Sequence, residues 1–272
     1  MGKEQQNKVN LIELIMKQKI GLALSGGGVR AMAHIGLLQC FREEGIQIDE
    51  ISGTSGGATI AAMFSHGYST SEMLSFFKRT PLFKYSLYTF HKPGIVDSEK
   101  FISAFKSIFP NDSFKDLKLP TYITATNLMT GNLEYFTEGE LIRPLIASSS
   151  VPPFFSPMEI KGHLFADGGI INDFPVEPLQ ENCRKIIGSF INPIDLITKN
   201  EVDTTLKLVS RVYQIGLKNK DIAKFSSCDY VFKPLNLKKI GLLDTKFIDA
   251  AYNYGYTQAK SEIEKIKVIL QS

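Results

Sequence analysis

The 272-residue chain has no tryptophan and only three cysteines. Cys40, Cys183 and Cys228 are odd in number, far apart and without a C-x-x-C pair, which argues for reduced thiols and against a disulfide framework or a zinc site. Histidine is scarce as well, with only His34, His66, His91 and His163, so chemistry that needs an imidazole has few candidates. No uninterrupted apolar run approaches the roughly 20 residues needed to span a bilayer. The N-terminal stretch lacks the apolar core of a secretory signal, and Gln6 stands where an N-myristoylation signal wants Ser or Thr. Charge of one sign is not in excess either: 31 basic against 28 acidic side chains leave a formal +3. That balance gives no argument for nucleic acid and allows a mildly cationic face toward an anionic surface. These absences predict a soluble, cytoplasmic protein whose membrane contact is peripheral, and no residue pattern calls for a metal or an organic cofactor.

What the chain does have is apolar substance, 43% hydrophobic residues, enough to bury a sizeable core. No internal repeat, low-complexity tract or linker divides it, so residues 1–272 read as a single domain. Apolar patterning predicts a short amphipathic helix at Val9–Lys17, a strand at Ile20–Ser25, a helix at Ala31–Glu44 closed by Gly45, and a strand at Ile48–Ser52. Strand, glycine turn, helix and strand make a βαβ unit and therefore a parallel sheet. Helices are predicted at Thr70–Arg79, Ser98–Phe109, Glu140–Ser149, Thr204–Phe225 and Lys246–Leu270. Strands are predicted at Tyr122–Thr126, Leu133–Thr137, Met158–Ile160, His163–Ala166 and Asp229–Phe232, with Lys185–Ile191 as a buried parallel strand. The aromatic and basic stretch Phe76–Phe90, extending to His91, is either a lipid-facing cap or a surface loop with its rings turned inward.

Two glycine-rich turns follow the first two strands. Successive backbone N–H groups at Gly26, Gly27 and Gly28, unobstructed by a Cβ and lying at a helix start, make an anion-binding concavity. One use is a dinucleotide pyrophosphate, for which Asp49 and Glu50 lie near the expected spacing of a ribose-binding acid. The other is an oxyanion hole for acyl transfer. The second turn, Gly53-Thr54-Ser55-Gly56-Gly57, places Ser55 between a strand and a helix, with Gly53 and Gly57 permitting close backbone crossing. A serine so placed is a candidate nucleophile.

A serine nucleophile needs a proton acceptor within hydrogen-bond reach. His66 lies eleven residues along the helix that Ser55 starts, roughly 16 Å away at 1.5 Å per residue. His34 has the apolar neighbours of a core residue. His163 sits at the far end of the strand that delivers Asp167, roughly 13 Å from it at 3.3 Å per residue. His91 and Asp167 remain. Asp167 is followed by Gly168 and Gly169, which leave a strand-end carboxylate unobstructed. A carboxylate is a weaker base than an imidazole, and a site built on one must rely heavily on its oxyanion donors and helix end.

GGGVRAMAHIG at 26–36, GTSGG at 53–57 and DGGIINDFP at 167–175 resemble, in that order, the three signatures of the patatin-like phospholipases, and VPPFFSP at 151–157 resembles the segment that precedes the aspartate in bacterial members. The resemblance covers about 20–191, leaving 192–272 as C-terminal helices and a strand that complete the domain. It implies an α/β fold, a mainly parallel central sheet flanked by helices in a three-layer sandwich. It further implies a Ser55–Asp167 dyad, an oxyanion hole from Gly26 to Gly28, and hydrolysis of lipid carboxylic esters of the phospholipase or lysophospholipase type without a metal. Ala31 departs from the glycine that often ends the first signature. The alternatives are a nucleotide-binding α/β protein, or a catalytically silent lipid-binding protein of the same fold.

Overall fold

The protein, seen in a computed structural model, is described over residues 19–80, 87–89, 91–192 and 197–272. The expected helix at Val9–Lys17, and the part of the aromatic and basic stretch at 81–86 and 90, lie outside these residues. The strands are β1 (Ile20–Leu24), β2 (Glu50–Gly53), β3 (Thr121–Asn127), β4 (Leu133–Phe136), β5 (Met158–Ile160), β6 (His163–Asp167), β7 (Lys185–Ser189) and β8 (Tyr230–Phe232). The helices are α1 (Met32–Glu43), α2 (Gly56–His66), α3 (Thr70–Arg79), α4 (Ile102–Lys106), α5 (Ile142–Ser148), α6 (Glu177–Gln180), α7 (Thr205–Ala223) and α8 (Ile248–Gln271).

All eight strands join one sheet in the order β5-β6-β3-β2-β1-β7-β8, with β4 also paired to β3. From β3 to β8 every pairing is parallel, while β4, β5 and β6 extend the sheet antiparallel. The alternation of side chains along a strand divides the core between the two faces. Leu22, Leu24 and Ile187 point into the large helical layer containing α1, α2 and α8. Ala23 and Ile186 point to the thinner layer with Phe174, Leu179 and Phe190. Helix on sheet on helix is the expected three-layer arrangement.

Several elements are shorter than their apolar patterns suggest. The helix expected at Ser98–Phe109 is a 3-10 turn at Ser98–Phe101 followed by α4 of five residues. Its last turn mixes the two kinds of bond, Phe109 N–H to Phe105 O at 2.8 Å and the tighter Ile108 N–H to Phe105 O at 3.1 Å. The apolar run Lys185–Ile191 contributes only Lys185–Ser189 to the sheet, because Ile191 turns its N–H to the Ser25 hydroxyl instead.

Candidate active site

The parallel order places the first two glycine-rich turns side by side. Gly21 pairs with Glu50 and Leu24 with Gly53, so the turns after β1 and β2 leave the same edge of the sheet. Asp49 and Glu50 sit at the other end of β2, where Asp49 accepts the Ile20 N–H at 2.8 Å and Glu50 pairs with Lys19 at 2.9 Å. They are therefore on the wrong edge to meet a ribose whose pyrophosphate lies on Gly26–Gly28.

Asp167 arrives from the opposite direction. Gly53 is level with Ile123 on β3, and Asp167, on antiparallel β6, is level with Ala125. Two residues along β3 match two residues along the chain from Gly53, which is Ser55. Chain reversal at β6 thus delivers a carboxyl group at the height of the serine.

Ser55 has φ 55° and ψ −126°, a backbone conformation that costs a non-glycine residue on the order of 1–3 kcal/mol. Two hydrogen bonds of its own and two of its neighbour Thr54 hold it there. Its N–H donates to the buried Ser148 hydroxyl at 2.9 Å, its C=O accepts from Thr59 N–H at 3.2 Å, and Thr54 binds Thr124 and the Asn172 carbonyl at 2.7 and 3.0 Å. Gly53 and Gly57 are where the crossing backbones touch. A Cβ on Gly57 would stand 2.5 Å from the Ser25 carbonyl oxygen, and one on Gly53 would stand 2.6 Å from Gly57 itself. Helix α2 therefore starts against the end of β1, directly after the serine, so that its positive end lies there, while the Gly57 and Ala58 N–H groups donate to the Thr54 carbonyl at 2.9 and 3.3 Å.

In the first turn, Gly27 (φ 150°) and Gly28 (φ 55°) take conformations open to glycine and costly for other residues. Gly26 differs from the expected donor trio, because its N–H is already given to the Asp173 carbonyl at 3.0 Å. Among the described residues no backbone hydrogen bond takes the amides of Gly27 or Gly28, and these two line the cavity in front of Ser55. Ala31, the departure from the first signature, is fully buried in the 3-10 turn at Gly28–Ala31, and its methyl group fits there beside Gly56.

Ser55 and Asp167 are 8% and 2% exposed and open onto one cavity of about 890 Å³. Its deeper wall is apolar, with Phe76, Phe101, Phe105, Phe155, Ile146 and Ile248, and its polar rim carries Arg30, Lys207, Arg211 and Lys238. Asp167 Oδ1 accepts the Gly169 N–H at 2.6 Å, and Oδ2 is buried with no hydrogen-bond partner among the described residues. Burial is the main reason its pKa rises to about 8, and the charge of Asp173 adds to it; the Gly169 N–H and the Ser55 hydroxyl act in the other direction. Ser55 thus lies close enough to influence the carboxyl, yet the pair forms no closed hydrogen bond. A gap of this kind is common before substrate binds. Gly168 packs on Thr124 and begins the short turn after Asp167.

The four histidines lie elsewhere, and none lines this cavity. His34 is fully buried, bonded to the Ser189 hydroxyl at 2.7 Å and the Ser25 carbonyl at 2.9 Å, and burial lowers its pKa to about 4. His66 stacks on Tyr68, His163 contacts Asn127 at 3.2 Å, and His91 is exposed. No group of three His, Cys, Asp or Glu residues among the described residues is arranged to hold a metal.

The sequence did not single out Ser148, Asp173 or Asn192 as site residues. Asn192 donates to both the Gly26 carbonyl at 3.0 Å and Asp173 Oδ2 at 2.8 Å, tying the first signature to the third. Burial raises the pKa of Asp173, against the Asn192 amide, the Gly26 N–H and the Lys224 ammonium. Asp173 lies within the third signature with no role assigned to it by the sequence, and Ser148 and Asn192 carry no signal.

Residues 22–179 match the family model described as patatin-like phospholipase. An NTE-family protein of Mycobacterium tuberculosis is 32% identical over 164 residues, 59% of this chain and 45% of the relative. Patatin-like phospholipase domain-containing protein 7 of Rattus norvegicus is 31% identical over 205 residues, 72% of this chain and 15% of the relative. The chain thus spans less than half the length of these curated relatives. In fold it is similar to VipD of Legionella pneumophila, with a TM-score of 0.51 at 13% identity over 91% of this chain and 67% of that one. With the family model covering more than half of its length and the three signatures converging on one sheet edge, the chain belongs to the patatin-like phospholipase family.

Proposed function

We propose that the protein hydrolyses carboxylic esters of lipids, of the phospholipase or lysophospholipase type, with Ser55 as nucleophile and Asp167 as its base. The observation that carries this reading is that Ser55, Asp167, Gly27 and Gly28 all line one phenylalanine-walled cavity. A wall of that kind suits an acyl chain, which gains roughly 0.8 kcal/mol for each CH₂ it buries.

In the first half-reaction, Ser55 Oγ adds to the ester carbonyl while its proton passes to Asp167. The carbonyl oxygen becomes an oxyanion beside Gly27 N–H and Gly28 N–H, with the start of α2 adding its positive end. The C–O bond to the alcohol then breaks, Asp167 returns the proton to the departing oxygen, and an acyl-serine remains. In the second half-reaction, water attacks the acyl group, gives its proton to Asp167, and the proton goes back to Ser55 as the carboxylic acid leaves. A buried carboxyl whose pKa is raised is a stronger proton acceptor than an ordinary aspartate, which offsets part of the disadvantage of working without imidazole.

Two features support a protein that meets its lipid from the aqueous side of a reducing compartment. All three cysteines are free, and no helix of the described residues is long and apolar enough to cross a membrane. The direct test is labelling with a fluorophosphonate followed by mass-spectrometric mapping of the modified residue. Labelling at Ser55 with turnover of a lipid ester supports the reading; intact protein without labelling and without turnover rejects it.

A further inference from the structure

Where α8 buries Ile248, Ala251, Ala259, Ile263 and Ile266, the described residues of α7 include only one that is buried, Asp221. Five apolar side chains among its described residues point away from the protein: Leu208 is 51%, Val212 61% and Ile215 53% exposed, with Val209 and Ile222 exposed beside them. At 3.6 residues per turn, Leu208, Val212, Ile215 and Ile222 fall within an arc of roughly 80°. They form one continuous ridge.

The ridge adjoins the cavity mouth. Lys207, Arg211 and Asp221 on the neighbouring arc of the same helix, with Thr204 at its N-cap, line the cavity, so one side of α7 is its wall and the next is the exposed ridge. The helix is anchored at its end by Lys224, which binds Glu177 at 2.7 Å and Asn172 at 2.5 Å. Cations lie along the mouth, of which Lys207 also pairs with exposed Asp203 at 2.7 Å. Lys207 and Arg211 on α7 and Lys238 on the facing segment line it, and Lys199 lies exposed just before the helix. That facing segment, Leu235–Lys239, also presents Leu235, 66% exposed.

We propose that α7 docks on an anionic lipid surface, with Leu208, Val212 and Ile215 entering the acyl boundary and the lysines and arginine around the mouth meeting the headgroups. Aliphatic residues on one arc and cations on the adjacent one are the pattern of a helix lying in a membrane interface. This orientation turns the mouth toward the lipid, so an ester can enter without crossing water. The docking stands on the ridge and its charges, apart from the ester hydrolysis proposed above.

The test uses full-length protein carrying Ser55→Ala, so that turnover does not alter the vesicles. Co-sedimentation with phosphatidylcholine vesicles, with and without phosphatidylglycerol, should show binding that requires the anionic lipid and weakens as salt rises. Adding Val212→Glu with Ile215→Glu should lower partitioning at least about tenfold. In the Ser55 background the same pair should leave the melting temperature and hydrolysis of a water-soluble short-chain ester unchanged. Equal partitioning of parent and variant, or no binding of the parent to phosphatidylglycerol vesicles, overturns the proposal. A parent dimer in light scattering that becomes a monomer in the variant also overturns it, assigning the ridge to a second copy of the chain. Binding that persists in a protein found to lack esterase activity would reject the hydrolase reading and leave the docking in place.

Discussion

Gly26 and Asp173 are locked together: the glycine N–H donates to the aspartate carbonyl at 3.0 Å, and a Cβ on Gly26 would stand 2.2 Å from Asp173 Oδ1. The turn that carries the proposed oxyanion donors is thus fitted against the segment that follows the proposed base. Gly26→Ala should push the two apart and shift Gly27 and Gly28 relative to Ser55. Displacements of about 1 Å at a reacting centre cost on the order of 10²-fold in rate. The expected outcome is a loss of that size in kcat/KM for a short-chain ester, with slower fluorophosphonate labelling and a folded circular-dichroism spectrum.

Ser55→Ala and Asp167→Asn should each lower ester hydrolysis by at least about 10³-fold, and the double variant should lose little more than either alone, because residues acting as one unit are not additive. Purified variants assayed on the same lipid ester decide it. Independent, multiplying losses would separate the two residues.

The pH dependence follows from the raised pKa of Asp167. As the base it must be unprotonated, so kcat/KM should rise with pH through about 8. Stability should move the other way. The folded protein holds this proton more tightly than the unfolded chain, so the contribution is complete below the ordinary carboxylate range, declines as pH rises, and is lost once pH passes about 8. Asp173 and Asp221, whose pKa values burial also raises, add to the same decline. Asp167→Asn should flatten the slope of stability against pH in denaturant titrations without abolishing it.

Replacing the histidines should separate structure from catalysis. His34→Ala removes a side chain that bonds Ser189 and Ser25 inside the core. A loss of roughly 1–3 kcal/mol of stability is expected from the unpaired partners. His66→Ala, His91→Ala and His163→Ala should retain most of the esterase activity. Denaturant midpoints and initial rates measure the two effects. If His91→Ala alone matched Ser55→Ala, a triad would replace the dyad.

The local order of the chain was readable wherever a short-range rule governs it. The apolar period of Thr70–Arg79 gives α3 to the residue, with Ser69 and Glu72 forming the capping box at its start. Glycines on either side of Ser55 announced the sharp turn, because only a missing Cβ lets β2, α2 and β1 approach so closely. Across Ser98–Phe109 the α-helix is shorter than the apolar spacing predicts, since that spacing reports burial of Phe101, Phe105 and Phe109 and does not distinguish 3-10 turns from an α-helix.

Sequence by itself determined the three signatures, the strand-turn-helix that strains Ser55, and the family to which they point, because each depends on residues close together in the chain. Only the tertiary structure decided which groups meet: the antiparallel entry of β6 that lifts Asp167 to the level of Ser55, the loss of the Gly26 amide to Asp173, the Ser148 and Asn192 contacts, and the outward ridge of α7. These relations join segments separated by up to 166 residues. They are set by strand order and by competition for hydrogen-bond partners across the whole fold, and no local pattern of residue types encodes either.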